Sequence, residues 1–166
     1  LIPHNRTHGL THALMVPDSR THLFSGQVGL IQLGMQPRVI HDSLAIAVDF
    51  SEYGFKVSGN SRAAALVELR QALDDAKDFS RNRKAALAGD HRDYELSYAD
   101  LAALEPVVNG NKPLLVRTNR ASDIKNILNI ALEFQLKLIL MSALEGWMVA
   151  DEIAAAGVPV IMDPIN

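Results

Sequence analysis

The apolar positions in the last third of the chain fall into three runs separated by amphipathic stretches. Leu114-Leu115-Val116 follows Pro113, Leu136 to Met141 forms the second run, and Val158 to Met162 the third. Each has strand length, and their apolar character, broken at Lys137 in the second run, predicts strands covered on both faces. Between the first two, Ile124, Ile127, Leu128, Ala131 and Leu132 recur at helical spacing. Ser122 is the candidate N-cap, with Asp123 in the first turn, where a carboxylate suits the positive end of the helix dipole. Between the second and third runs, Glu145 to Ala156 predicts another helix, with Gly157 as its C′ residue. The runs begin roughly 22 residues apart, the spacing of strand–helix–strand units that build a parallel sheet.

The pattern is less regular before residue 114. Leu10 to Val16 and Val28 to Leu33 read as strands, the first ended by the turn-like Pro17-Asp18-Ser19. Leu44 to Val48 is an apolar run that fits either a strand or a helix. From Ser61 to about Ala88 an apolar stripe through Ala63, Leu66, Val67, Leu69, Leu73 and Ala76 predicts a long helix, and the segment Arg81 to Arg92 reads as charged and exposed. Ser97 and Asp100 resemble a capping box for a further helix running to about Val108, ended by Asn109-Gly110-Asn111. No low-complexity stretch or linker divides the chain, so residues 1–166 are read as a single domain.

Composition narrows the function classes. Apolar residues at 48 % and charged residues at 21 % are those of an ordinary globular chain rather than a disordered one. A net charge of −3 gives no basic surface for nucleic acid. No run reaches the roughly 18 apolar residues of a membrane span. The absence of cysteine excludes disulfides, thiolate nucleophiles and cysteine zinc sites, and leaves the compartment open. The start carries no initiator Met and no signal-like pattern, and the end follows directly on a strand-like run. Both ends read as cut from something longer.

Candidate chemistry clusters at loops that follow strands. His4, His8 and His12 are spaced by four, as metal ligands on one helix face would be, but Pro3 and Gly9 favour an irregular, exposed segment. Ser25-Gly26-Gln27 reads as a turn. Gly59-Asn60-Ser61-Arg62 reads as an N-cap at Asn60 or Ser61 rather than an anion site. The most informative stretch is Arg117 to Asp123, at the C-terminal end of a parallel strand, where barrels and open α/β sheets bind ligands. Arg117, Asn119, Arg120 and Asp123 can bind an acidic group there. Equally, Asp123 can serve the helix while an arginine pairs with it. Glu145 follows the next strand and can act as acid, base or ligand, or merely suit the helix dipole. Asp163 ends the third strand and is a candidate by position. Trp147, the single tryptophan, is expected in the core.

Several segments together resemble the amidohydrolase superfamily, in particular its imidazolonepropionase-like branch. They are Gly9-Leu10-Thr11, Leu23-Phe24-Ser25-Gly26-Gln27, the run Lys112 to Ile124, and Ala143-Leu144-Glu145-Gly146-Trp147 through Val158-Pro159-Val160-Ile161. The resemblance implies an α/β fold, a partial (β/α)8 TIM-type barrel with parallel strands and flanking helices. Members hold one or two divalent metals such as zinc and activate water to hydrolyse amides, esters or ring C–N bonds. Their ligands are a His-x-His pair on the first strand, often a carboxylated lysine on the fourth, histidines on the fifth and sixth, and an aspartate on the eighth. By this resemblance the chain runs from near the second strand to near the seventh, so the first pair and the last aspartate fall outside it. Arg117 stands where the fifth-strand histidine would, and the sixth strand ends in Leu140-Met141-Ser142-Ala143 without one. A guanidinium is a permanent cation and cannot ligate a metal.

These readings leave three expectations. The first is a hydrolase fragment with no metal or other cofactor of its own, no identified catalytic residue and no activity by itself. The second is a non-catalytic module for a small anionic ligand. The third is a structural module that self-associates through open sheet edges into a homo-oligomer. Neither nucleic acid nor membrane is an expected partner. The compartment is unknown, and family analogy allows a periplasmic or secreted parent. A flavodoxin-like open sheet is the competing fold, since it accounts for the strand spacing but not for the motifs.

Overall fold

A computed structural model describes residues 2–18 and 21–162. The described residues form, in chain order, α1 (Ile2–Thr7), β1 (His12–Met15), β2 (Phe24–Gln32), β3 (Arg38–Asp49), α2 (Glu52–Val57), α3 (Arg62–Ala88), α4 (Tyr98–Val108), β4 (Leu114–Thr118), α5 (Ala121–Phe134), β5 (Leu138–Ser142), a 3-10 turn (Gly146–Val149), α6 (Ala150–Ala155) and β6 (Val160–Ile161). Six strands make one curled sheet in sequential order. From β3 onward the pairing is parallel, as the 22-residue spacing predicts. The order β1-β2-β3-β4-β5-β6 is that of a barrel wall, with no reversal of strand order such as a flavodoxin-like sheet has. The fold is a partial TIM-type barrel. It departs from the expected parallel wall at its start, where β1, β2 and β3 pair antiparallel.

The sheet has two unlike faces because side chains alternate along each strand. Ile46, Val48, Leu114, Val116, Leu138 and Leu140 face the helices and join the main core with buried residues of α3, α4 and α5. Each fully buried Leu or Ile there contributes about 1.5–3 kcal/mol relative to exposure. On the inner face, Val28, Ala45, Ala47 and Leu115 form a second, smaller cluster, with Ile139, Met141 and Ile161 packed against it and partly exposed. No helix of the described residues is long and apolar enough to cross a membrane.

Several local expectations are corrected. Leu44 to Val48 is strand, part of the twelve-residue β3. Residues 2–7 are helical despite Pro3, because proline is tolerated in the first helical turn, and Gly9, at φ +89°, lies just past the helix end. His4 and His8 lie together there with ring centroids 4.6 Å apart, while His12 sits on β1. Gly26 is inside β2, at a register shift with φ +123°, so it marks a bulge rather than a turn. The long helix reaches Ala88 as expected, past a kink at Asn82, but Val67 on the expected apolar stripe is exposed, and His91 and Arg92 fold back onto Asp78 and Asp75. Ser61 caps α3, accepting from Ala64 N, and Ser97 caps α4. Asp100 is too short to complete the reciprocal box and instead accepts the Ser97 hydroxyl at 2.6 Å. Of the turn at Pro17-Asp18-Ser19, Ser19 lies outside the described residues.

Candidate functional site

The C-terminal ends of β3, β4 and β5 form the mouth of the partial barrel. The register aligns Asp49 with Arg117 and Arg117 with Met141, and all three lie on the inner face by alternation from Ala47, Leu115 and Ile139. Asp49 is buried, and its Oδ1 accepts the Ser51 backbone N–H at 2.9 Å. Arg117 is half-buried, and its Nη2 makes a weak contact to Met141 Sδ at 3.9 Å. Asp49 escaped the sequence reading because the Leu44–Val48 run could not be assigned to a strand. With that strand known, the acidic residue after its last apolar position marks the mouth.

Asn119, Arg120, Asp123 and Glu145 are engaged on the side of α2 and α5. Arg120 Nε is 3.3 Å from Glu52 Oε1, and the Asn119 side chain lies near enough to help lower the same carboxyl. Glu52's own backbone N–H, then Asn119 and Arg120, hold its carboxyl below the usual range. Asp123 is 3 % exposed, and Arg62 Nε approaches its Oδ2 at 3.2 Å. Burial pushes the Asp123 carboxyl up, and Arg62 opposes that shift. Arg62 also reaches toward Glu52 at 4.0 Å and stacks over Phe55 at 4.8 Å. The structure therefore joins Asn119, Arg120 and Asp123 to Glu52 and Arg62 in one ionic network. It places Arg117 on the opposite face of the sheet. The four do not converge on a single acidic ligand.

Glu145 acts on a helix, but not on the one it precedes. Its Oε2 accepts the Ala121 backbone N–H at 2.9 Å, at the start of α5. Ser122 is already inside that helix, and the N-cap position is held by Arg120, whose side chain makes no capping bond. Trp147 is 78 % exposed rather than in the core. The segment 145–156 is a 3-10 turn followed by a short α-helix, not one helix. Gly146 takes the buried place, 3.3 Å from Ala143 Cβ for any added methyl, and this turns Trp147 outward. Asp163 lies outside the described residues.

Strain and unmet polar atoms mark the same mouth. Ser142 (φ +69°) and Ala143 (φ +48°) are consecutive left-handed residues without a glycine. Ala143 N bonds Met141 O at 3.0 Å, closing a γ-turn, and also Thr118 O at 2.8 Å. Thr118 is fully buried, and among the described residues neither its Oγ1 nor Asn119 Oδ1 has a hydrogen-bond partner. Among the described residues no group of three or more His, Cys, Asp or Glu stands close enough to hold a metal ion.

No family model matches the chain, and no curated protein matches its sequence. Among solved structures it is similar to an amidohydrolase from Thermotoga maritima MSB8. The match has a TM-score of 0.79 and 21 % sequence identity over 94 % of this chain. The chain spans 43 % of that structure, less than half its length. At this identity the likeness is one of fold.

Proposed function

We propose that this chain is a central piece of an amidohydrolase-like barrel, of the imidazolonepropionase-like branch its motifs resemble, and that it does not hydrolyse substrate by itself. The observation that carries this reading is the register pair Asp49–Arg117 at the mouth. A divalent ion such as zinc takes about three protein ligands in a catalytic site. Among the described residues at the ends of β3, β4 and β5, the mouth offers the Asp49 carboxylate, already accepting a backbone N–H, beside a guanidinium and a thioether. The guanidinium cannot ligate and repels a nearby cation. These residues do not fit the ion. The test is to incubate the purified chain with zinc, dialyse it, and measure bound metal together with esterase and amidase turnover. Substoichiometric zinc and no turnover are expected; one tightly held zinc per chain with metal-dependent hydrolysis overturns the reading.

The same reading makes a second copy the partner. The inner face carries an apolar cluster, and β1 and β6 each pair on one side among the described residues. Open edges beside apolar surface favour strand pairing between chains. Light scattering is expected to give a dimer or larger assembly, and a monomer contradicts this.

A second function is favoured by Arg117 alone. Its guanidinium is half-buried at the mouth, and Met141 Sδ is its polar partner among the described residues, which leaves most of its five donors for an anion. A carboxylate or phosphate that binds the native state raises the melting temperature. Arg117→Met abolishes that rise if the reading holds. An unchanged shift in the variant, or no shift with any anion, removes it.

A further inference from the structure

A cavity outside the mouth lies on the helix-covered face, and its origin is topological. Where β3, β4 and β5 follow one another in parallel, helices lie between them in sequence and cover the sheet. The β2–β3 connection is antiparallel and contains no helix, so the start of β2 lacks a helix of its own. The gap between it, α3 and α4 is a cavity of about 390 Å³. Leu23, Ile46 and Leu104, all buried, line its apolar part with Phe24 and Leu96. That volume lies in the range of small-molecule pockets, which are mostly apolar with a few placed polar groups.

The polar groups here have one sign. Glu68 and Asp100 line the cavity, with His22 and Gln27, and among the described residues no lysine or arginine does. Asp100 is committed to Ser97 at the start of α4. Glu68 accepts one side-chain hydrogen bond, from Ser58 Oγ at 2.6 Å to its Oε2, so Oε1 has no partner among the described residues. A smaller cavity of about 60 Å³ shares Glu68, Phe24 and Leu96 and adds Glu95 and Asp75. Asp75 is paired there with Arg92, whose guanidinium does not line either cavity. Among the described residues, the formal charges an anion would meet in this space are the carboxylates of Glu68 and Asp100. A neutral apolar molecule would leave Glu68 partly desolvated without a counter-charge. A primary ammonium on an apolar body satisfies both parts of the lining.

We propose that this cavity binds a small amphiphilic cation, an alkyl- or arylammonium, with its body on Leu23, Ile46 and Leu104 and its head on Glu68. The site is separate from the barrel mouth and stands whether or not the mouth holds an anion. The experiment is calorimetric titration of the whole chain with 2-phenylethylammonium, 2-phenylethanol and 3-phenylpropanoate, which share the ring and differ in charge. The ammonium is expected to bind at least about tenfold more tightly than the other two. Glu68→Gln keeps an acceptor for Ser58 and is expected to erase that preference. Ala103→Phe, on the α4 wall of the cavity, is expected to abolish ammonium binding while the chain stays folded by circular dichroism. Equal binding of the three probes, no saturable binding of the ammonium, or ammonium binding unchanged in folded Ala103→Phe overturns the proposal. A Glu68→Gln chain that folds and still prefers the ammonium does so too.

Discussion

Gly54 lies directly against the backbone of Asp49: a methyl group at residue 54 would stand 1.7 Å from the Asp49 carbonyl oxygen and 2.7 Å from its carbonyl carbon. Neither atom belongs to a flexible side chain, so α2 must move off the end of β3 to make room. Gly54→Ala raises helix propensity by about 1 kcal/mol, which alone would stabilise α2. Overpacking against backbone costs typically 1–3 kcal/mol or more, and here the contact is far inside any tolerated distance. Net destabilisation of about 2 kcal/mol is expected in urea unfolding, together with loss of the Ser51–Asp49 bond that shapes the mouth. A variant as stable as the parent would show that α2 is not seated as described.

The pair Arg62–Asp123 is asymmetric, and the asymmetry is testable. Asp123 is almost wholly buried, whereas the Arg62 side chain is 38 % exposed and has Glu52 and Phe55 as further neighbours. Removing the cation strands a buried carboxylate; removing the carboxylate leaves a cation that water still reaches. Arg62→Met is expected to cost roughly 2–3 kcal/mol at pH 7, and Asp123→Asn less than about 1 kcal/mol. The pH dependence has a defined sign. Asp123's folded carboxyl titrates above its ordinary value of 3.8, chiefly because it is buried. Its ionisation therefore opposes folding above that value, and the opposition disappears as the group protonates. The Arg62→Met deficit should shrink from pH 7 to pH 4. A larger loss in Asp123→Asn than in Arg62→Met would reverse this account.

The parts of the fold legible in the sequence are those where one physical signal acts alone. Leu114–Val116 and Leu138–Met141 are continuous apolar runs because both faces of their strands are covered, by helices outside and the second cluster inside. The sequence reading failed where local signals were countermanded by packing. Pro3 and Gly9 read as helix breakers, yet they sit in the first turn and past the end of α1, where helices accept them. Trp147 read as core because it is large and apolar, but Gly146 packs closer to Ala143 and takes that place. The candidate site was legible as a position, the C-terminal ends of the strands, and not as a constellation. Arg117 and Asn119 are two residues apart, and nothing in their spacing shows that the chain leaves β4 between them and delivers Asn119 to Glu52.

The segment after α3 is held by a carboxylate clamp that should release in acid. Asp78 Oδ2 lies 2.7 Å from His91 Nε2, 2.9 Å from Tyr94 Oη and 3.4 Å from Arg92 Nε, and Asn82 Nδ2 donates to Oδ1 at 2.9 Å. The His91 hydrogen bond, followed by those of Tyr94 and Asn82, brings the Asp78 carboxyl from 3.8 to about 2. A depressed acid contributes its stability fully above its unfolded value and loses it as pH falls through its folded value, so this contribution fades between about pH 4 and pH 2. Tyr94 is pushed up to about 12, by burial first and then by its bond to Asp78. It therefore opposes folding only above its ordinary value of 10. Asp78→Asn is expected to cost about 1 kcal/mol at pH 7, since the site is partly open to solvent. Hydrogen exchange over residues 89–97 should quicken in the variant at pH 7. Unchanged protection there would show that Asp78 does not hold the segment.

Glu145 ties the loop between β4 and α5 from outside, through backbone and side chain at once. Its N–H donates to Asn119 O at 2.8 Å, while its Oε2 accepts from Ala121 N at 2.9 Å. The first helical N–H groups of α5 have no partner within the helix, and Arg120 supplies no capping bond. A carboxylate there also meets the positive end of the helix dipole. Glu145→Ala loses both contributions and should cost about 1–2 kcal/mol. Glu145→Gln keeps an acceptor oxygen and loses the charge, so it should retain roughly half of that, with the difference narrowing at high salt. The Ala121 amide reports on the bond directly: its hydrogen exchange should quicken in Glu145→Ala and stay close to the parent in Glu145→Gln. If both variants exchange and unfold like the parent, the carboxylate contributes nothing to α5, and Glu145 becomes free for a role in binding at the strand end.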